Sequence, residues 1–161
     1  PILAAGGIVT GRQMAACMAM GAAGAWTGSV WLTTKEAETS PVIKQKYMNA
    51  SSRQTVRSKY RTGKFSRQLR SPWTDAWEDE NAPEPLPMPL MGLVSGPPLN
   101  KVTKLAEGGH VGAKQLATSF VGQGVGLMNQ ELASKQVVYD FMEDYLAATE
   151  RLHGTVVEDA S

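Results

Sequence analysis

The feature that most restricts how this chain can fold is a pair of glycine turns, each tied to a short apolar run. Ile2 to Ala5 is closed by Gly6-Gly7, and the run from Gly24 to Leu32 carries Gly28-Ser29 within Ala25-Trp26-Thr27-Gly28-Ser29-Val30-Trp31. A short, continuous apolar run stopped by glycine is the pattern of a buried parallel strand. Between the two runs, Thr10-Gly11-Arg12-Gln13 spells a capping box: a hydroxyl, and a Gln three residues on, satisfy the first N–H groups of a helix. Met14, Cys17 and Met18 give that helix, Arg12–Met20, a core-facing spacing, and Gly21 ends it. Thr33-Thr34-Lys35-Glu36 offers a second capping box, predicting a helix after the second strand. The expected unit is strand, helix, strand, helix, with the two strands parallel, and the expected class is α/β.

Glycine lets a backbone approach an anion closely, and N–H groups at a helix start favour negative charge. Two such turns on adjacent parallel strands would converge on one phosphate, as the loops after strands 7 and 8 of a (β/α)8 (TIM) barrel do. Each glycine pair taken alone also fits an ordinary left-handed turn.

Beyond residue 43 the composition changes. Lys44 to Arg70 holds nine Lys or Arg and no acid, and Asp75 to Glu84 holds five acids and no base. Pro83, Pro85, Pro87 and Pro89, then Pro97-Pro98, read as an extended connector. Helical patterning returns at Asn100–Glu107 and Ala113–Phe120, and Gly122-Gln123-Gly124-Val125-Gly126 reads as a turn. Glu131–Leu152 is an amphipathic helix with Val138, Phe141, Met142, Tyr145 and Leu152 on one face and Gly154 at its end. The expected organisation is three blocks: 1–43, the two βα units; 44–99, an irregular basic, acidic and Pro-rich insertion with at most short helices; and 100–161, a helical region. All three are expected to belong to one larger barrel domain.

The 161 residues are 42% hydrophobic and 19% charged with a net charge of +1, which is globular rather than disordered composition. No apolar run reaches the roughly 18–20 residues that span a bilayer, so no membrane association is expected. Cys17 alone cannot form an intramolecular disulfide or a multi-cysteine metal site, and with His110 and His153 as the two histidines no metal centre is expected. A reducing, cytoplasmic setting fits that cysteine usage. The chain opens on Pro1, directly before a strand-like run and with no signal-peptide pattern, which suggests that it starts inside a larger protein.

Ala4-Ala5-Gly6-Gly7-Ile8, Gly11-Arg12 and Met20-Gly21-Ala22-Ala23-Gly24-Ala25-Trp26-Thr27-Gly28-Ser29 together resemble the last two βα units of the nitronate monooxygenases. Thr62-Gly63-Lys64, Arg67-Gln68-Leu69-Arg70 and Gly122-Gln123-Gly124-Val125-Gly126 are similar to segments of that family's C-terminal region, so the likeness covers residues 1–150. Two positions depart from the pattern: Ala23 where Asp is frequent, and Ser29, which keeps the hydroxyl of the commoner Thr. The resemblance implies the C-terminal, strand 7–8 portion of a TIM barrel followed by an irregular and helical region. It implies FMN as cofactor, with Ala5, Gly6, Gly7, Thr27, Gly28 and Ser29 at its phosphate and Gln123 offering an amide to flavin or substrate. It implies an alkyl nitronate and dioxygen as substrates, giving a carbonyl compound and nitrite. A flavin-type enoyl-acyl-carrier-protein reductase, whose barrel shares the glycine turns, is the alternative enzyme. A truncated, non-catalytic chain that binds FMN weakly or serves as an interaction surface is the alternative of another class.

The family's catalytic histidine lies in an E-A-G-G-H motif upstream of the A-A-G-G-I strand, so no catalytic residue is expected in this segment. Glu107-Gly108-Gly109-His110 imitates that motif but follows both turns in chain order, and His110 reads as a surface-loop histidine. Cys17 reads as a structural thiol. The basic run with Tyr47, Tyr60 and Phe65 has the composition of a nucleic-acid groove, but the acidic run compensates it, so no nucleic acid is expected. Trp26 and Trp31 are expected to pack, and Trp73 and Trp77 to anchor the irregular segment. Oligomeric state is not readable from these residues.

Overall fold

The computed structural model describes residues 1–157. Strand β1 (Leu3–Ala5) and strand β2 (Gly24–Trp26) pair in parallel, with Leu3 opposite Gly24, Ala4 opposite Ala25 and Ala5 opposite Trp26. Helix α1 (Gly11–Ala19) connects them, so the expected strand–helix–strand unit with parallel strands is present. A Cβ at Gly24 would stand 3.3 Å from Leu3 Cδ2, the end of an exposed side chain. The second strand is shorter than its apolar pattern predicts. A 3-10 helix over Ser29–Thr33 takes over, and its Trp31 indole N–H donates back to the Thr27 carbonyl at 3.2 Å.

The Thr33–Glu36 capping box opens no helix. Thr34 turns its hydroxyl onto the Trp31 carbonyl at 2.8 Å, and the Glu36 carboxylate accepts from the N–H and hydroxyl of Ser134, each at 2.8 Å. Glu36 therefore serves the start of helix α6 (Ser134–Val157), far along the chain. The predicted last helix starts three residues later than its periodicity suggests and continues through Gly154. A lone glycine weakens a helix by only about 1 kcal/mol, so it need not end one.

Helix α6 packs on α1, and the contact depends on a missing side chain. A Cβ at Gly11 would collide with the Phe141 carbonyl oxygen and the Tyr145 nitrogen. The buried positions of α1 are Gly11 and Ala15, while Met14, Cys17 and Met18 are only half-buried. On α6, Val137 is buried and Phe141 and Tyr145 are half-buried, whereas Val138 and Met142 are exposed. Periodicity identified the helix and placed Phe141 and Tyr145 on its inward side, whereas Val137 rather than the predicted Val138 is buried.

The chain divides into two compact units, Pro1–Ala37 with Gln130–Ser161, and Glu38–Asn129, so its boundaries differ from the three compositional blocks. The second unit contains more regular structure than its charge blocks predict. Helix α2 (Pro41–Asn49) precedes an antiparallel hairpin of strands β3 (Thr55–Ser58) and β4 (Ser66–Leu69), paired Thr55 to Leu69 through Ser58 to Ser66. Helix α3 (Pro72–Trp77) follows, with Ser71 at its cap and proline at its first turn. The hairpin corrects the expectation of irregular backbone over 44–99. Ser58 and Gln68 are buried on one face of the hairpin and Leu69 on the other, so the alternation is hidden because polar side chains occupy buried strand positions.

Pro97 and Pro98 lie inside helix α4 (Leu90–Glu107) rather than in a connector. Proline deprives the carbonyl four residues back of its donor. Those carbonyls belong to Leu93 and Val94, which are exposed, while Met91, Ser95 and Leu99 carry the buried face. Helix α5 (Val111–Leu116) and a 3-10 helix over Gln123–Leu127 complete the unit, so the predicted Ala113–Phe120 helix is shifted and shortened. Its core is Ile43, Tyr47, Met91, Leu99, Ala106, Ala113, Val121 and Val125.

Candidate functional site

The register of β1 and β2 decides the geometry of the turns. Ala5 and Trp26 are directly opposite at the C-terminal ends of parallel strands, so Gly6-Gly7 and Thr27-Gly28-Ser29 leave the same edge of the sheet side by side. Gly6 has φ of 110° and Gly7 of 73°, a region L side chains rarely adopt, so both positions require glycine. Gly28 differs: its φ is −126°, which any residue reaches. A Cβ on Gly6 or on Gly28 would meet nothing within 4 Å, leaving open space over the backbone at both turns.

A local latch holds the first turn. The Gln13 side chain accepts from the N–H groups of Val9 at 2.8 Å and Thr10 at 3.1 Å, and donates to the Gly7 carbonyl at 3.3 Å. The predicted capping box is present and does more than start α1: it pins the loop from Gly7 to Thr10 onto the helix. At the second turn, the Trp31 indole also donates to the Thr27 hydroxyl at 3.1 Å, fixing that oxygen in place.

The start of α1 is not available to an anion, contrary to the expectation drawn from helix starts in general. Asp144 of α6 occupies it, accepting from the Arg12 N–H at 2.8 Å and from Arg12 Nε at 2.7 Å. The Arg12 guanidinium, followed by the backbone N–H groups of Arg12 and Gly11, holds the Asp144 carboxyl below its ordinary range. Donors for a second anion must therefore come from the glycine turns. Neither Asp144 nor the latch to Gly7 was singled out from sequence; the latch was signalled by the capping box, whereas Asp144 had no local signal.

Gln123 is exposed at the start of the 3-10 helix in the second compact unit, whereas the two glycine turns lie in the first. His110 caps α5, its Nδ1 accepting from the Ala113 N–H at 3.2 Å, which gives it a structural role. Trp26 is exposed rather than packed, and Trp77 stacks on Tyr60 with ring centroids 5.3 Å apart. Among the described residues no group of three or more His, Cys, Asp or Glu is placed to hold a metal, and no helix is long and apolar enough to cross a membrane.

A parallel strand pair bridged by a helix, with glycine turns at the C-terminal ends of its strands, is a βα unit of the α/β class. Residues 1–144 match the nitronate monooxygenase family, and the chain belongs to it. It is 47% identical over 156 residues to a Mycobacterium tuberculosis protein named "Putative monooxygenase Rv1533", covering 97% of this chain and 42% of that one. Among solved structures it is similar to nitroalkane oxidase from Streptomyces ansochromogenes, at 27% identity and a TM-score of 0.75 over 94% of this chain and 41% of that one. It is also similar to FabK from Thermotoga maritima, at 30% identity and a TM-score of 0.73 over 96% of this chain and 47% of that one. The chain thus spans about two fifths of the length of the curated relatives it matches. Its fold is the C-terminal portion of a (β/α)8 barrel followed by a hairpin and a mainly helical region.

Proposed function

We propose that the complete protein is an FMN-dependent oxidoreductase that oxidises alkyl nitronates with dioxygen to a carbonyl compound and nitrite, and that this chain supplies the phosphate end of the cofactor site. One observation carries the reading: two glycine turns leave one edge of a parallel strand pair side by side, with open space where side chains would stand. That space fits a phosphate, which needs several converging donors and close backbone approach. Ala5, Gly6 and Gly7 supply the first wall of the site, and Thr27, Gly28 and Ser29 the second. Gln13 and Trp31 position these walls by gripping the Gly7 carbonyl and Thr27. Gln123 offers an amide to flavin or substrate. The bound flavin supplies the redox chemistry, while the protein binds and orients it.

No residue of this segment is assigned a catalytic role, and His110 is engaged in capping α5. The second reading, a flavin-type enoyl-acyl-carrier-protein reductase, rests on the same turns, which the two flavin-barrel groups share. Oxygen uptake by the complete FMN-loaded protein tests the proposal. Uptake dependent on an alkyl nitronate is expected. NAD(P)H-dependent enoyl reduction in its place would assign the second reading, and neither activity would leave the chain a non-catalytic binding or interaction segment.

A further inference from the structure

The turn between β3 and β4 holds an arginine in a setting that stability alone does not explain. Arg61 is half-buried, and its guanidinium lies over the Phe120 ring, 4.9 Å from the centroid. Its backbone is fixed: the buried Ser95 hydroxyl donates to the Arg61 carbonyl at 2.8 Å, and the Gly63 N–H closes the turn onto the Lys59 carbonyl at 2.8 Å. Burial lowers the Arg61 pKa, yet an arginine stays charged at any physiological pH. Its Nη1 is buried with no hydrogen-bond partner. A desolvated charge without a counter-ion is costly, and a buried donor without an acceptor adds to the cost.

Among the described residues no carboxylate forms an ion pair with it. The sequence from Lys44 to Arg70 contains no acid, and Asp75, just beyond, accepts from Arg70 Nε at 2.7 Å. Tyr47 feels the Arg61 charge but cannot balance it. Its hydroxyl already donates to the Phe120 carbonyl at 2.7 Å, and burial raises its pKa, so it stays neutral.

Arg12 shows how an arginine of this chain takes a carboxylate: its Nε donates to Asp144 at 2.7 Å, and Nη2 reaches the same group. In Arg61 the Phe120 ring covers one face and Nη1 is enclosed, so the edge left for an acceptor is again Nε with Nη2. One charge on one such edge matches two coplanar oxygens sharing one negative charge. We propose that Arg61 is the recognition residue of a binding site in the second unit, for a ligand carrying a carboxylate or a nitronate group. The oxyanion would lie in the guanidinium plane, bound side-on, with the turn and the Phe120 ring holding that plane ready. This site stands apart from the glycine turns and does not rest on the flavin assignment.

The test is titration calorimetry and thermal unfolding of the complete protein, with acetate as the probe against chloride at constant ionic strength. Chloride cannot make two parallel hydrogen bonds to the edge. Acetate should bind the wild type saturably and raise its melting temperature, and R61M should raise the dissociation constant at least tenfold. R61K, which keeps the charge without the fork, should fall between them. In chloride alone R61M should melt no lower than the wild type, because methionine fills the space without a buried charge. No saturable acetate binding by the wild type, or equal binding by R61M, would overturn the site, and wild-type affinity in R61K would overturn its side-on geometry. An R61M variant that melts far below the wild type in chloride would also overturn it, since a carboxylate elsewhere in the complete protein would then already pair Arg61.

Discussion

The loop of residues 6–13 and the hairpin of residues 55–69 both hold backbone in a fixed shape, by opposite means. In the first, Gln13 reaches back three to six residues to grip Gly7, Val9 and Thr10. In the second, the ties come from far along the chain: the Thr118 hydroxyl donates to the Leu69 carbonyl at 2.6 Å, the Leu69 N–H donates to the Ser119 carbonyl at 3.1 Å, and next to that segment the Tyr47 hydroxyl holds the Phe120 carbonyl at 2.7 Å. Lys46 similarly donates to the Gln115 carbonyl at 3.0 Å and to that of Ala117, at the end of α5. A local latch needs only its own turn of helix to be formed. A long-range tie exists only once the whole unit has packed, so its loss should be felt across the unit.

The largest effect is expected at the glycine turns. Gly7→Val forces a β-branched side chain into a left-handed backbone and blocks ligand approach at once. Gly28→Val leaves an allowed backbone and blocks approach alone. Both should lower flavin retention in the complete protein at least tenfold, read as flavin absorbance after desalting, while only Gly7→Val should also lower the melting temperature. Stoichiometric flavin in both variants would remove the phosphate assignment.

Next comes Gly11→Val, which drives a side chain into the α6 backbone. Overpacking against rigid backbone should destabilise the first unit by about 3 kcal/mol, measured by urea denaturation. If the Gln13 latch is as local as its bonds suggest, the amides of Val9 and Thr10 should stay more protected from hydrogen exchange than those of α6. Equal loss would show that the latch depends on α6.

Tyr47→Phe should cost about 1–2 kcal/mol, because it leaves the Phe120 carbonyl without its buried donor. The long-range character of this unit predicts that the loss spreads, so hydrogen exchange should rise in the hairpin as well as in α2. A change confined to residues near Tyr47 would undo the contrast.

The smallest effect is expected at Asp144. The pair with Arg12 is exposed, so Asp144→Asn should cost no more than about 1 kcal/mol. The folded-state pKa of Asp144 is lowered, so its contribution is complete above the ordinary aspartate value of 3.8 and is lost as pH falls through the lowered value. Glu36 is lowered likewise by its hydrogen bonds from Ser134, below an ordinary 4.5. Acid should therefore loosen both ties of α6 together, seen as faster exchange in α6 than in the second unit below about pH 4.

What the sequence determined by itself was the set of rules that act over three or four residues. The Thr10/Gln13 box and the glycines at Gly6 and Gly7 were legible because each depends on neighbours in the chain. The tertiary structure decided every case in which a group could choose its partner. Glu36, in an equally good capping box, caps α6 instead of its own segment, and Asp144 takes the anion position at α1. Pro97 and Pro98 lie within α4 on its exposed side, and Ser58 is buried in the hairpin against its polarity, its hydroxyl accepting from the Tyr60 N–H at 3.1 Å. Local stereochemistry proposes which hydrogen bonds are possible, but burial settles which are made, because only a buried donor or acceptor must find its partner within the protein.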